Sequence, residues 1–171
     1  MRPSDPEIRT HRLAKRLESY INYPSRVHAI KAVDSTTGEL MGFAGWHTPR
    51  PTGEEMINMF GLAMLAQTGK FPQTHWSQDD LDEIWRGSLL EEAEKEFAMW
   101  DSVRDEELRG VPYWYLSPLA VLEKFRGRGV GGRLMQYAID LADSHDPPQA
   151  LALEALPNAR PVYLRLSLIH I

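Results

Sequence analysis

The chain has 171 residues, 19 Lys plus Arg against 24 Asp plus Glu, a formal net charge of -5 and no cysteine. That length suits one domain with a real core, burying roughly 70% of the surface its unfolded chain exposes. The acidic balance excludes general attraction to nucleic acid or an anionic membrane, so any anion site must be local. Without cysteine there are no disulfides and no thiolate metal ligands, which fits a reducing, cytoplasmic or nuclear compartment. No apolar run approaches the ~18 residues of a membrane span, and Met1 is not followed by an apolar leader stretch, so a soluble protein is expected.

Ile8, Leu13, Leu17 and Ile21 recur among charged residues at a loose helical spacing, predicting a helix over 6–20. Two β-prone runs, 27–33 and 40–46, flank Asp34-Ser35-Thr36-Thr37-Gly38-Glu39, whose small polar residues and glycine suit a reversing turn, and together they predict a hairpin. Trp46 and His47 at its end could line an acceptor site, or Trp46 could cap a core. Residues 48–110 lack strand alternation, and Pro49, Pro51, Gly53, Gly69 and Pro72 punctuate their first part, predicting loop and short helix. Ser77 with Asp80 reads as a capping box. Leu81, Ile84, Trp85, Leu89, Ala93, Phe97 and Trp100 then line one face of a single long helix. Its opposite face carries Asp82, Glu83, Glu91, Glu92, Glu94 and Glu96, read as solvated surface rather than a metal or basic-partner site. His11, His28, His75 and His145 share no ligand spacing, so no metal is expected.

The C-terminal third changes character. Tyr113-Trp114-Tyr115-Leu116 is strongly β-prone and continues as Leu119-Ala120-Val121-Leu122 after Pro118, which cannot donate to a ladder and implies an edge or a bulge. Val130, Leu134, Tyr137, Ala138 and Leu141 form the stripe of a helix over 130–144, closed by Pro147-Pro148, and 150–153 is a second short strand. Between the first strand and this helix stands Arg126-Gly127-Arg128-Gly129-Val130-Gly131, followed by Gly132. Glycines let the backbone approach an anion at a helix start, where free N–H groups and the macrodipole favour phosphate, and two arginines add mobile charge. A pyrophosphate would suit the site. The glycines could also serve only a tight connection, with surface arginines. They further spell Gly127-x-Gly129-x-x-Gly132 with Glu154 at ribose-binding distance, a dinucleotide pattern. Against it, Glu123-Lys124-Phe125-Arg126 separates strand from glycine, and little chain follows Glu154.

Arg126-x-x-Gly129-x-Gly131 after a bulged strand, with Leu153-Glu154-Ala155-x-x-Asn158-x-x-x-x-Tyr163, resembles the GNAT family of acetyl-CoA-dependent N-acetyltransferases, most of all its fungal branch of small GNAT-domain proteins. The likeness is specific over 113–166 and looser over 6–46. It implies a single α+β domain with a mostly antiparallel, splayed central sheet flanked by helices: helix plus hairpin at 6–47, a helical insertion at 50–110 and an acetyl-CoA-binding core at 113–166. It also implies that Arg126, Gly127, Arg128, Gly129, Val130, Gly131 and Gly132 hold the CoA pyrophosphate, that pantetheine bonds to the backbone of Leu119, Ala120 and Val121, and that Asn158 touches the cofactor arm. Tyr163 becomes the general acid; its ordinary pKa of roughly 10 keeps it protonated at neutral pH. Glu154 is the nearest candidate base, with a water chain as the other. Tyr163 could instead simply pack a short helix. The acceptor is a small-molecule or protein amine, with neither nucleic acid nor membrane as partner. The remaining alternative is a module that binds acyl-CoA as a regulatory ligand or docks a partner through its acidic helix.

The family also implies a strand ahead of residue 6 and a Gly-Phe with a further strand after Tyr163, neither of which the sequence offers. Leu166-Ser167-Leu168-Ile169-His170-Ile171 matches a translated sequencing adapter, so a non-native tail and a truncated gene are expected. A missing closing strand would leave a sheet edge unpaired beside the cofactor site and weaken CoA binding.

Overall fold

A computed structural model describes residues 5–51, 56, 59–71, 74–155, 157 and 159–164. The amino end forms α1 (Pro6–Leu17) and the short α2 (Ser19–Asn22). Asp5 caps α1 by accepting from the Glu7 amide at 2.8 Å, Pro6 supplies a pre-set φ in the first turn, and Lys15 and Arg16 meet the negative end of the dipole. The hairpin follows as β1 (Val27–Val33) and β2 (Leu40–His47). Its turn is closed by the Asp34 carboxylate, which accepts from the Thr36 and Thr37 amides at 2.9 Å, and by Gly38 at φ 71°.

Three helices come next: α3 (Met59–Gln67), α4 (Gln78–Trp85) and α5 (Leu90–Glu107). Ser77 and Asp80 form the expected capping box of α4. The single long helix expected here is two, because the chain breaks at Gly87, whose φ is 73°. Trp85 stays buried and donates to the Ala63 carbonyl, whereas Leu89 beyond the break is 74% exposed. α3, α4 and Trp76 build a core of their own, to which α1 is tied by Arg12 to Glu83 at 3.0 Å and Lys15 to Asp80 at 2.9 Å.

The chain closes with β3 (Tyr113–Val121), α6 (Val130–Asp143), β4 (Ala150–Ala152) and α7 (Arg160–Leu164). Strand order is β1-β2-β3-β4, the first three antiparallel and β4 parallel to β3, which makes β3-α6-β4 a βαβ unit. Alternation sends Ala44, Trp46, Trp114 and Leu116 to the face covered by α6, where Leu134, Met135 and Ala138 complete the main core. Tyr113, Tyr115 and His47 take the opposite face. This α+β sheet contradicts the dinucleotide reading of the glycines, which needs a doubly wound parallel sheet. No helix among the described residues is long and apolar enough to cross a membrane.

Candidate active site

Pro118 marks a bulge, as its sequence position implies. Ala44 pairs with Leu119 and Trp46 with Leu116, so two β3 residues stand opposite one of β2, and the Ser117–Pro118 peptide is cis. Beyond the bulge, Leu119, Ala120 and Val121 pair with β2 on one side only, because β4 accompanies β3 just from Tyr113 to Tyr115. Their other edge has no strand partner among the described residues. An extended chain could bond to it.

The glycine loop lies directly beside that edge. A Cβ on Gly131 would stand 3.8 Å from Val121 and 3.9 Å from Leu119. Gly127 and Gly129 adopt φ of 75° and 77°, a region that penalises side chains, and Gly129 is the N-cap of α6. The Arg126 amide donates to Glu123 and that of Arg133 to Gly129, but among the described residues the amides of 127–132 have no main-chain acceptor. Added Cβ atoms at Gly127, Gly129 and Gly132 would meet nothing within 4 Å. The loop therefore offers free donors, open space and the positive end of a 14-residue helix. Arg126 and Arg128 are exposed, the latter 5.4 Å from the Phe125 ring.

Glu154 and Tyr163 are brought to one cavity of about 290 Å³, walled by α5, by β4 with the residues after it, and by α7. Tyr163 is half-buried against the main core, and burial raises its pKa above the usual tyrosine value, keeping the hydroxyl protonated. That hydroxyl has no hydrogen-bond partner among the described residues. Glu154 is engaged on both oxygens: Arg104 donates to Oε1 at 2.8 Å and the Tyr115 hydroxyl to Oε2 at 2.5 Å. Asn158 lies outside the described residues.

Arg104 is the residue that sequence reasoning missed. Only 5% exposed, it also donates to the Tyr113 hydroxyl at 3.1 Å, the Met56 carbonyl at 3.1 Å and Asp101, and stacks 4.3 Å from the Tyr115 ring. Burial pulls its pKa down, but Tyr115, Asp101 and Glu154 outweigh that and the net shift is upward. Trp46 and His47, expected as possible acceptor contacts, are buried to 0% and 1% exposure. Of the acidic residues expected as solvated surface, Asp82, Glu91, Glu92 and Glu96 are exposed, whereas Glu83 is half-buried against Arg12 and Glu94 pairs with Lys70.

A one-sided strand, a loop of uncommitted amides at a helix start, and a cavity lined by a carboxylate and a tyrosine occur together on this α+β fold. The chain belongs to the acetyltransferase (GNAT) family, whose model matches residues 2–167; these are acetyl-CoA-dependent N-acetyltransferases. Similar solved structures include a Corynebacterium glutamicum protein described as histone acetyltransferase HPA2 and related acetyltransferase, at 23% identity and TM-score 0.51, covering 95% of this chain and 65% of that one. A tetramutant of protein BH1408 from Bacillus halodurans matches at 13% identity and TM-score 0.50, covering 91% and 67%. The chain thus spans about two thirds of the length of these two relatives, and at such identity the likeness concerns the fold. Comparison with curated proteins gives no match.

Proposed function

We propose that the chain binds acetyl-CoA along Leu119, Ala120 and Val121, with its pyrophosphate on the amides of 127–132 flanked by Arg126 and Arg128, and transfers the acetyl group to a primary amine. One observation carries this reading: six consecutive positions with uncommitted amides sit at the start of α6, beside a strand edge that lacks a partner. In the reaction the amine nitrogen forms a bond to the thioester carbonyl carbon and the C–S bond breaks. Tyr163 gives its proton to the departing thiolate, and the proton lost by the amine passes to Glu154, directly or through water. Arg104 and Tyr115 fix the carboxylate, while two of its four lone-pair sites stay open.

Tyr163→Phe should lower kcat by about 10²–10⁴-fold and leave calorimetric CoA affinity unchanged. A variant that turns over normally would remove Tyr163 from the mechanism. A second reading is favoured by the engagement of both Glu154 oxygens, which suits a module that binds acyl-CoA as a regulatory ligand. Protein that binds CoA yet acetylates no amine would decide for it.

A further inference from the structure

We propose that the cavity between α5, the end of β4 and α7 receives the acceptor, and that the acceptor is a small primary amine on a compact apolar body, aromatic or branched aliphatic. This rests on the acetyl-transfer reading above and adds the substrate class.

The walls set the body. Met99, Trp100 and Val103 of α5 are 57%, 41% and 58% exposed, and they line the cavity together with Leu151, Leu153 and Leu164. Large apolar side chains converging on an open cavity, rather than scattered singly, mark a surface that an apolar ligand covers. The volume sets the size. About 290 Å³ lies just below the roughly 300–1,000 Å³ of ligand pockets, which suits a small acceptor.

The charges set the head group. Four charged side chains line the cavity: Arg104, Glu107, Glu154 and Arg160. Arg104 is engaged by Asp101 and Glu154, whereas Glu107 has no ion-pair partner among the described residues. An ammonium group finds Glu107 at the wall, while Glu154 is already paired with Arg104. A phosphate on the acceptor would meet Arg160 and Glu107 together and would lose its hydration against the apolar wall. Tyr163 and Glu154 both line this cavity, so the group proposed to protonate the thiolate and the group proposed to take the amine's proton belong to one site.

The test uses the full chain with methyl-labelled methionine, the Met99 resonance being assigned by its loss in Met99→Leu. The probes are 2-phenylethylamine, spermidine, and 2-aminoethyl phosphate. 2-Phenylethylamine should shift the Met99 methyl saturably while the other two do not. Val103→Arg should weaken that binding by about tenfold or more, roughly 1.4 kcal/mol, and leave CoA affinity unchanged. In turnover 2-phenylethylamine should exceed spermidine about tenfold in kcat/KM. No Met99 shift at millimolar 2-phenylethylamine overturns the site. Equal shifts with spermidine or 2-aminoethyl phosphate overturn the substrate class. A saturable Met99 shift without any acetylated product overturns the acceptor role by removing acetyl transfer itself, and CoA binding measured alone tells that failure from a failure of the cofactor site.

Discussion

His47 is packed edge-on to Tyr20, with ring centroids 5.8 Å apart, and its pKa is pushed down to about 3 by burial, with Arg50 and Arg104 adding to the effect. In the unfolded chain the same imidazole titrates near ~6.5. Below that pH the unfolded state takes up a proton that the folded state refuses. The stability contributed by the neutral ring is therefore complete above about pH 6.5 and is lost as pH falls towards the folded value, by about 1.4 kcal/mol per unit. Denaturation midpoints should drop between neutrality and about pH 4.5, and His47→Gln should flatten that slope. An unchanged slope in the variant would assign the loss to other groups. Gly45 makes the same face sensitive to volume. A Cβ there would lie 2.0 Å from Tyr20 Cε1, so Gly45→Ala should destabilise by about 1–3 kcal/mol in chemical denaturation, because Tyr20 is buried and cannot swing clear. Neither residue was legible as a core group in the sequence. His47 stood at a strand end two residues before Pro49, where solvent was as reasonable as burial, and it is Tyr20 from α2 together with Tyr115 that covers it.

The glycine loop and α6 were the most legible element, since a 3.6-residue stripe and a cluster of glycines are local signals. Their energetics separate two glycines. Gly129→Ala puts a Cβ at φ 77° and should cost about 1–2 kcal/mol of loop conformation, raising the CoA dissociation constant roughly tenfold. Gly131→Ala makes only ordinary contacts with Val121 and Leu119 and should leave melting temperature and loop geometry intact. Calorimetric titration of both variants checks the pair, and equal losses would mean that φ strain is not what Gly129 relieves. The hairpin was equally readable, because its strands are β-prone runs and its turn carries its own hydrogen-bonding residues. The α4–α5 break was not. Leu81, Ile84, Trp85, Leu89 and Ala93 keep helical spacing straight through it, and the one contrary sign was Gly87, a residue that a helix interior tolerates at about 1 kcal/mol. Three-dimensional context decides: Trp85 is held by the Ala63 carbonyl, and beyond the turn at Gly87 α5 carries Arg104 to Tyr113 of β3.

At the scale of the whole molecule, one guanidinium joins parts that the sequence keeps far apart. Arg104 of α5 meets Glu154, 50 positions away, Met56, 48 positions away, and Tyr113 of β3. No local pattern reports such a contact, which is why the segment between the hairpin and β3 read as a helical insertion that contacts the acceptor but carries no assigned catalytic or cofactor-binding residue. Arg104→Met keeps most of the volume but leaves the Met56 carbonyl without its donor and Glu154 without its cation. Asp101 and Glu154 are 32% and 45% exposed, so water offsets part of the loss and the cost falls below the roughly 3–5 kcal/mol of a fully buried pair, at about 2 kcal/mol. Urea denaturation measures it, and a midpoint equal to the parent's would mean that Arg104 contributes no net stability. Because that side chain clasps the helix and the strand end together, neither can loosen alone. Deuterium uptake at α5 and at β4 should rise in step on warming, as a single cooperative opening, and any acceptor entering between them would slow both at once.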